Sequence, residues 1–126
     1  FAVEVPIILS NAGRNSEALD ALRRMEGRYD VDDHYANAYG YVLMLEGLHE
    51  EAITWFRRTL DLNPEHARAM RDLAHCLFAT GNGVEARRWA KAARNRGERW
   101  TYERWKAGDY EGGRVPAIPQ PPRAPS

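Results

Sequence analysis

Five landmarks recur in this chain at intervals of 34 residues, and that period constrains the fold more tightly than any other feature. Glycines stand at Gly13, Gly47 and Gly81. Glu17-Ala18, Glu51-Ala52 and Glu85-Ala86 follow them, with apolar or small residues four positions further on at Leu22, Phe56 and Ala90. Upstream, Leu9, Leu43 and Leu77 keep the same interval. A fixed period in this size range is the mark of a stacked-repeat architecture. Between the landmarks the spacing is helical. Ala36, Tyr39, Gly40 and Leu43 fall at i, i+3, i+4 and i+7, as do Met70, Leu73, Ala74 and Leu77. Ala52, Ile53, Phe56 and Leu60 form a second apolar stripe, and Ala86, Trp89, Ala90 and Ala93 another. No stretch alternates with the period of two that marks a strand.

Each repeat therefore reads as two helices joined near a glycine. Asp32 or Asp33 is placed to cap one helix. Asn63-Pro64-Glu65 reads as the start of the next, with Asn63 as cap and Pro64 in the first helical position. Gly97 is placed to end the sixth helix in a left-handed conformation. Gly40 faces Ala52, and Ala74 faces Ala86, so small side chains let the paired backbones approach. Tyr39, Leu43 and Phe56 then fill the space between repeats. A single helical pair cannot bury its apolar face alone, so stacking is obligatory.

These residues resemble the tetratricopeptide repeat family. Its pattern runs through Leu-Gly, Tyr or Leu, Gly, Ala, Phe, Ala and Pro at fixed offsets within 34 residues. The central repeat carries it best, with Tyr39-Gly40, Leu43, Gly47, Ala52, Phe56 and Pro64. The third repeat has Met70, Leu73-Ala74, Leu77, Gly81, Ala86, Ala90 and Ala93, with Glu98 where the closing proline belongs. The first is degenerate, with Pro6 where a small packing residue belongs. The resemblance covers about residues 1–100. It implies an all-α, right-handed solenoid of three helix-turn-helix repeats: 1–31, 32–66 and 67–97. A capping helix over 98–107 is expected next, followed by a Pro/Gly-rich extended tail over 108–126. Projecting the period backward starts the first helix before Phe1, so a natural start is expected to be missing.

Composition limits function. The 126 residues carry 18 Lys+Arg and 18 Asp+Glu, a net charge of zero. That argues against a protein that coats nucleic acid. No apolar run approaches the length of a membrane span. One cysteine, Cys76, allows neither an intrachain disulfide nor a CxxC metal site. His34, His49, His66 and His75 show no metal-ligand spacing, and no phosphate-binding glycine motif occurs. His75 and Cys76 are adjacent on a helix and point about 100° apart, which suits no Cys–His catalytic pair. Glu17, Glu51 and Glu85 sit at the starts of three helices, where they complement the helix dipoles. The expectation is a chain that is not an enzyme and uses no cofactor.

Function then rests on surfaces. In the family it resembles, the first helices of the repeats line a groove that takes a peptide or a helix. The implied groove positions are Ile7, Ser10 and Asn11, then His34, Asn37, Tyr41 and Met44, then Arg68, Arg71, His75 and Phe78. A groove that clamps a C-terminal carboxylate is disfavoured, because Val3 and Ile7 stand at its first-repeat positions and only Arg68 fits. Trp100 and Trp105 are placed either to cap the last repeat or to anchor a partner, and Tyr110 is grouped with them as a C-terminal anchor for a partner. Prolines at 116, 119, 121, 122 and 125 make the tail polyproline-like, free or laid on a neighbouring protein. The expected role is a docking scaffold or small subunit of a large complex, with another protein as partner. The alternative is a small chaperone for an unfolded apolar segment, like those of type III secretion, echoed at Ala74-His75-Cys76. A bacterial cytoplasm or periplasm fits better than secretion. Residues 1–66 carry 12 acidic and 6 basic groups and residues 67–126 the reverse. An acidic partner surface is therefore expected at the basic C-terminal end.

Overall fold

The computed structural model describes residues 14–29 and 31–119. Among them are six α-helices and no strand: α1 (Asn15–Met25), α2 (Asp33–Leu45), α3 (His49–Leu62), α4 (Ala67–Ala79), α5 (Gly83–Arg94) and α6 (Trp100–Lys106). A short 3-10 turn follows at Glu111–Gly113. The first helix expected of repeat one, with Leu9 and Gly13, lies outside the described residues, as do Pro6 and the groove positions Ile7, Ser10 and Asn11.

The helices pack in sequence order. α2 lies against α3 and α4 against α5, and α3 joins the two pairs by packing on α4. One core runs through the stack, built from Leu22, Tyr35, Tyr39, Leu43, Phe56, Met70, Leu73 and Leu77 with small residues between them. The close approach read from Gly40 is present: a β-carbon there would lie 2.8 Å from the Phe56 ring. Tyr35 and Tyr39 bind repeat one to repeat two. The Tyr35 hydroxyl donates to the Leu22 carbonyl at 2.8 Å, and the Tyr39 hydroxyl donates to Glu26 Oε1 at 2.8 Å. Tyr39 also stacks on Trp55, with ring centroids 4.4 Å apart. These buried rings thus add apolar area while their hydroxyls stay satisfied.

The periodic glycines end the first helix of each pair. Gly47 (φ 79°) and Gly81 (φ 87°) occupy the left-handed region, which L side chains adopt only with strain. The next residue donates back into the helix, Leu48 N–H to Leu43 O at 2.9 Å and Asn82 N–H to Leu77 O at 2.8 Å. Gly97 (φ 93°) closes α5 in the same way, as its sequence position implies. Asp32 caps α2, accepting from His34 and Tyr35 N–H.

The start of α4 differs from the sequence reading. Asn63 and Pro64 form a turn, and the helix begins three residues later, at Ala67. His66 is the cap, with Nδ1 accepting from Ala69 N–H at 3.1 Å. The Asn63 amide instead donates across the repeat to Asp33 Oδ2 at 3.0 Å. A helix-start motif has become a clasp between the two ends of one repeat.

A further ladder links the second helices of successive repeats. Arg23 pairs with Glu51 at 3.4 Å, and Arg57 pairs with Glu85 through two hydrogen bonds of 2.6 and 3.0 Å. Both partners advance by 34 residues. The glutamates serve the helix starts and also this ladder. The recurrence of Arg23 and Arg57 was the sequence signal for it.

The face formed by alpha2 and alpha4

The first helices α2 and α4 contact each other and form one face of the stack. The sequence-predicted groove residues divide into two groups there. His34 and Arg68, on the first turns of their helices, are exposed, and Asn37 and Tyr41 are half-buried. Toward the other end, Met44 and His75 are buried and Phe78 is half-buried.

The chain's own C-terminal part covers that second group. Helix α6 docks on α4, where the buried Thr101 hydroxyl donates to the Arg71 carbonyl at 2.9 Å. Trp100 lies 5.6 Å from the His75 ring, and Trp105 lies 6.2 Å from Phe78 in a stacked orientation. Both tryptophans therefore cap the last repeat, one of the two roles expected of them. Tyr110 is the correction. It was placed among the anchors for a partner, yet its ring is 9% exposed, stacks on Phe78 at 4.4 Å, and its hydroxyl bonds His75 Nδ1 at 2.7 Å. Phe78 and His75 consequently hold the cap rather than an open groove.

The tail also departs from expectation. Gly112 (φ 67°) and Gly113 (φ 81°) turn the chain, and the Arg114 guanidinium fastens the turn by donating to the Gly108 and Glu111 carbonyls, each at 3.0 Å. Residues 114–119, which form neither helix nor strand, then run back over the α2–α4 face. Val115, Pro116, Ala117 and Ile118 share a cavity of about 290 Å³ with Met44, Leu45, Gly47, His49 and His75. Ile118 and Pro119 share a second, of about 170 Å³, with Tyr41, Arg71, Asp72 and Trp100. Ile118 packs against the core. The segment thus passes from the C-terminal end of α2 toward its middle, against the helix direction. Residues 120–126 lie outside the described part. An aliphatic pair, Val115 and Ile118, set among prolines was the signal for this docking.

Electrostatically the face is quieter than its composition suggests. Arg71, in the basic C-terminal half, is not a free cation: it pairs with Asp72 at 2.9 Å and with Glu98 at 3.0 Å. Burial pushes the Asp72 carboxyl above the usual range, against the opposing pull of Arg71. Burial holds His75 down to about 4 and also lowers His49 and His66. Cys76 is fully buried, and burial raises its thiol well above the ordinary value. Asn37 Oδ1 is buried without a hydrogen-bond partner among the described residues. No group of three or more metal-ligating side chains occurs among those residues, and no helix there is long and apolar enough to cross a membrane.

Comparison with known proteins agrees with this architecture. The chain is 30% identical over 89 residues to the probable biofilm formation methyltransferase WspC of Pseudomonas putida. The match takes in 71% of this chain and 21% of that protein, so the chain spans about a fifth of the relative's length. Two tetratricopeptide repeat family models match, one over residues 8–62 and the other over residues 43–111. With the second model covering more than half the chain, and with paired helices stacked at its 34-residue period, this chain belongs to the tetratricopeptide repeat family.

Proposed function

We propose that this chain is a protein–protein docking module, a scaffold or small assembly subunit that receives a segment of another protein on the α2–α4 face. Repeat domains of this family generally serve protein interaction. The observation that carries the reading is the Val115–Pro119 segment lying on that face, with Ile118 packed against the core. His34 and Arg68 extend the face beyond Pro119 with exposed polar groups. The surroundings of Cys76 support a non-catalytic role, since a buried thiol with a raised pKa supplies little thiolate at neutral pH.

A photo-crosslinking residue placed singly at His34 or Arg68, and for comparison at Val84 or Arg87 on α5, tests the docking face. The expected result is one protein product, identified by mass spectrometry, from the first pair and not from the second. Crosslinks to that protein from α5 alone would overturn the assignment. The packing of the partly buried Ile118 against the core favours one second reading, a small chaperone for unfolded apolar segments. Such a chaperone suppresses the aggregation of unrelated clients, whereas a docking module leaves it unchanged.

A further inference from the structure

We propose that Val115–Pro119 is a built-in occupant of the docking face, and that the partner displaces it with an extended, proline-flanked aliphatic segment of its own. The inference rests on the docking reading and adds the chemistry of the ligand and a form of self-inhibition.

Three observations support it. The tether is short and well fixed: Tyr110 is clamped by His75 and Phe78, and Arg114 braces the glycine turn four residues before Ile118. A tether of this length holds the segment at an effective concentration in roughly the mM range. The segment itself is held lightly. Among the described residues no hydrogen bond joins 115–119 to α2 or α4, and Val115 remains 42% exposed. Pro116 and Pro119 have no N–H to give. Its attachment is therefore apolar contact at Ile118 reinforced by the tether.

The face also has unused capacity. The open pocket of about 290 Å³ beside the exposed Ala117 side chain is lined by Met44, Leu45, His49 and His75, which a longer aliphatic side chain could reach. A partner segment with a bulkier residue at the Ala117 position would gain apolar contact that the internal segment lacks. Such a ligand overcomes the tether by better contacts, while a weak or unrelated peptide does not.

The test uses the full chain and a labelled, end-blocked peptide of residues 114–119, Arg-Val-Pro-Ala-Ile-Pro. In the wild-type chain, NMR should show contacts from the Ile118 methyl groups to the Tyr41 ring. In Ile118→Asp the tail should leave the face, and the peptide should bind at least tenfold more tightly than to wild type. A peptide with leucine at its Ala117 position should bind more tightly still. Missing Ile118–Tyr41 contacts, equal peptide binding to both chains, or no binding to a folded Ile118→Asp chain would each overturn the proposal. So would a wild-type dimer in solution with the Ile118 contacts arising between copies. Should Ile118→Asp not fold, the wild-type NMR contacts decide alone. Equal peptide binding to both chains leaves the docking reading intact. Partner crosslinks confined to α5 remove the docking reading while the Ile118 contacts can still be observed.

Discussion

Gly40 shows how one side chain sets the spacing of a helix pair. The Phe56 ring occupies the space a β-carbon would need, at 2.8 Å. Gly40→Ala brings a helix-propensity gain of about 1 kcal/mol and an overpacking cost of about 1–3 kcal/mol. The expected balance is a loss of about 1 kcal/mol, read as a lower urea midpoint with unchanged slope. His75 gives a second prediction. Its ring is 2% exposed and burial lowers its pKa to about 4, below the ordinary value of 6.5. Between those values the unfolded chain binds more protons, so stability is full above pH 6.5 and falls as the pH drops toward 4. His49 and His66 shift in the same direction. On account of His75 alone, stability should decline by about 3 kcal/mol from pH 7 to pH 4. His75→Asn should flatten that slope in urea titrations at a series of pH values. At this scale the sequence is informative about small packing residues, because the period places them opposite each other. It does not reveal that His75 serves Tyr110, since a contact across 35 residues has no periodic trace.

Helices were legible through their stripes, and their ends less evenly. Gly47, Gly81 and Gly97 mark three C-termini because glycine enters the left-handed region without strain. Asp32 and Asp33 were equivalent candidates for the α2 cap, and the backbone chose Asp32 while Asp33 took the Asn63 clasp. Asp32→Ala should cost about 1 kcal/mol by loss of the cap, measured by thermal unfolding. Asn63-Pro64-Glu65 misled because the same residues suit a turn and a helix start, and a partner 30 positions away decided between them. The cap helix offers a cleaner check. Thr101→Val removes the hydroxyl that reaches the Arg71 carbonyl and should cost about 1 kcal/mol. Hydrogen exchange should then quicken in α6 before it quickens in α2 or α4. The docked tail was the least legible element. Its prolines indicated correctly that it forms no helix, but only the finished α2–α4 face gives Ile118 something to pack against.

In the whole molecule, sequence order becomes spatial order, and the zero net charge resolves into two unlike ends. The acidic excess lies in residues 1–66 and the basic excess in 67–126. Part of the basic end is engaged internally: Arg96 pairs with Glu65, Arg104 with Asp109, and Arg94 lies 4.3 Å over the Tyr102 ring. Arg87 and Arg88 are exposed on α5. Contact with an acidic partner surface at this end would make binding weaken steeply as salt rises from 50 to 300 mM, whereas docking on the α2–α4 face through apolar contact at the Ile118 position should change little. The two contributions can be separated by repeating the binding isotherm with Arg87→Ala/Arg88→Ala.

The docking face itself is tested most directly by NMR chemical-shift mapping of the isotopically labelled full chain as the crosslink-identified partner is added. Shifts should concentrate at His34, Asn37, Tyr41 and Arg68, with the Ile118 methyl signals moving to free-peptide positions as the tail is displaced. Shifts confined to the outer residues of α3 and α5, with Ile118 unmoved, would contradict the account.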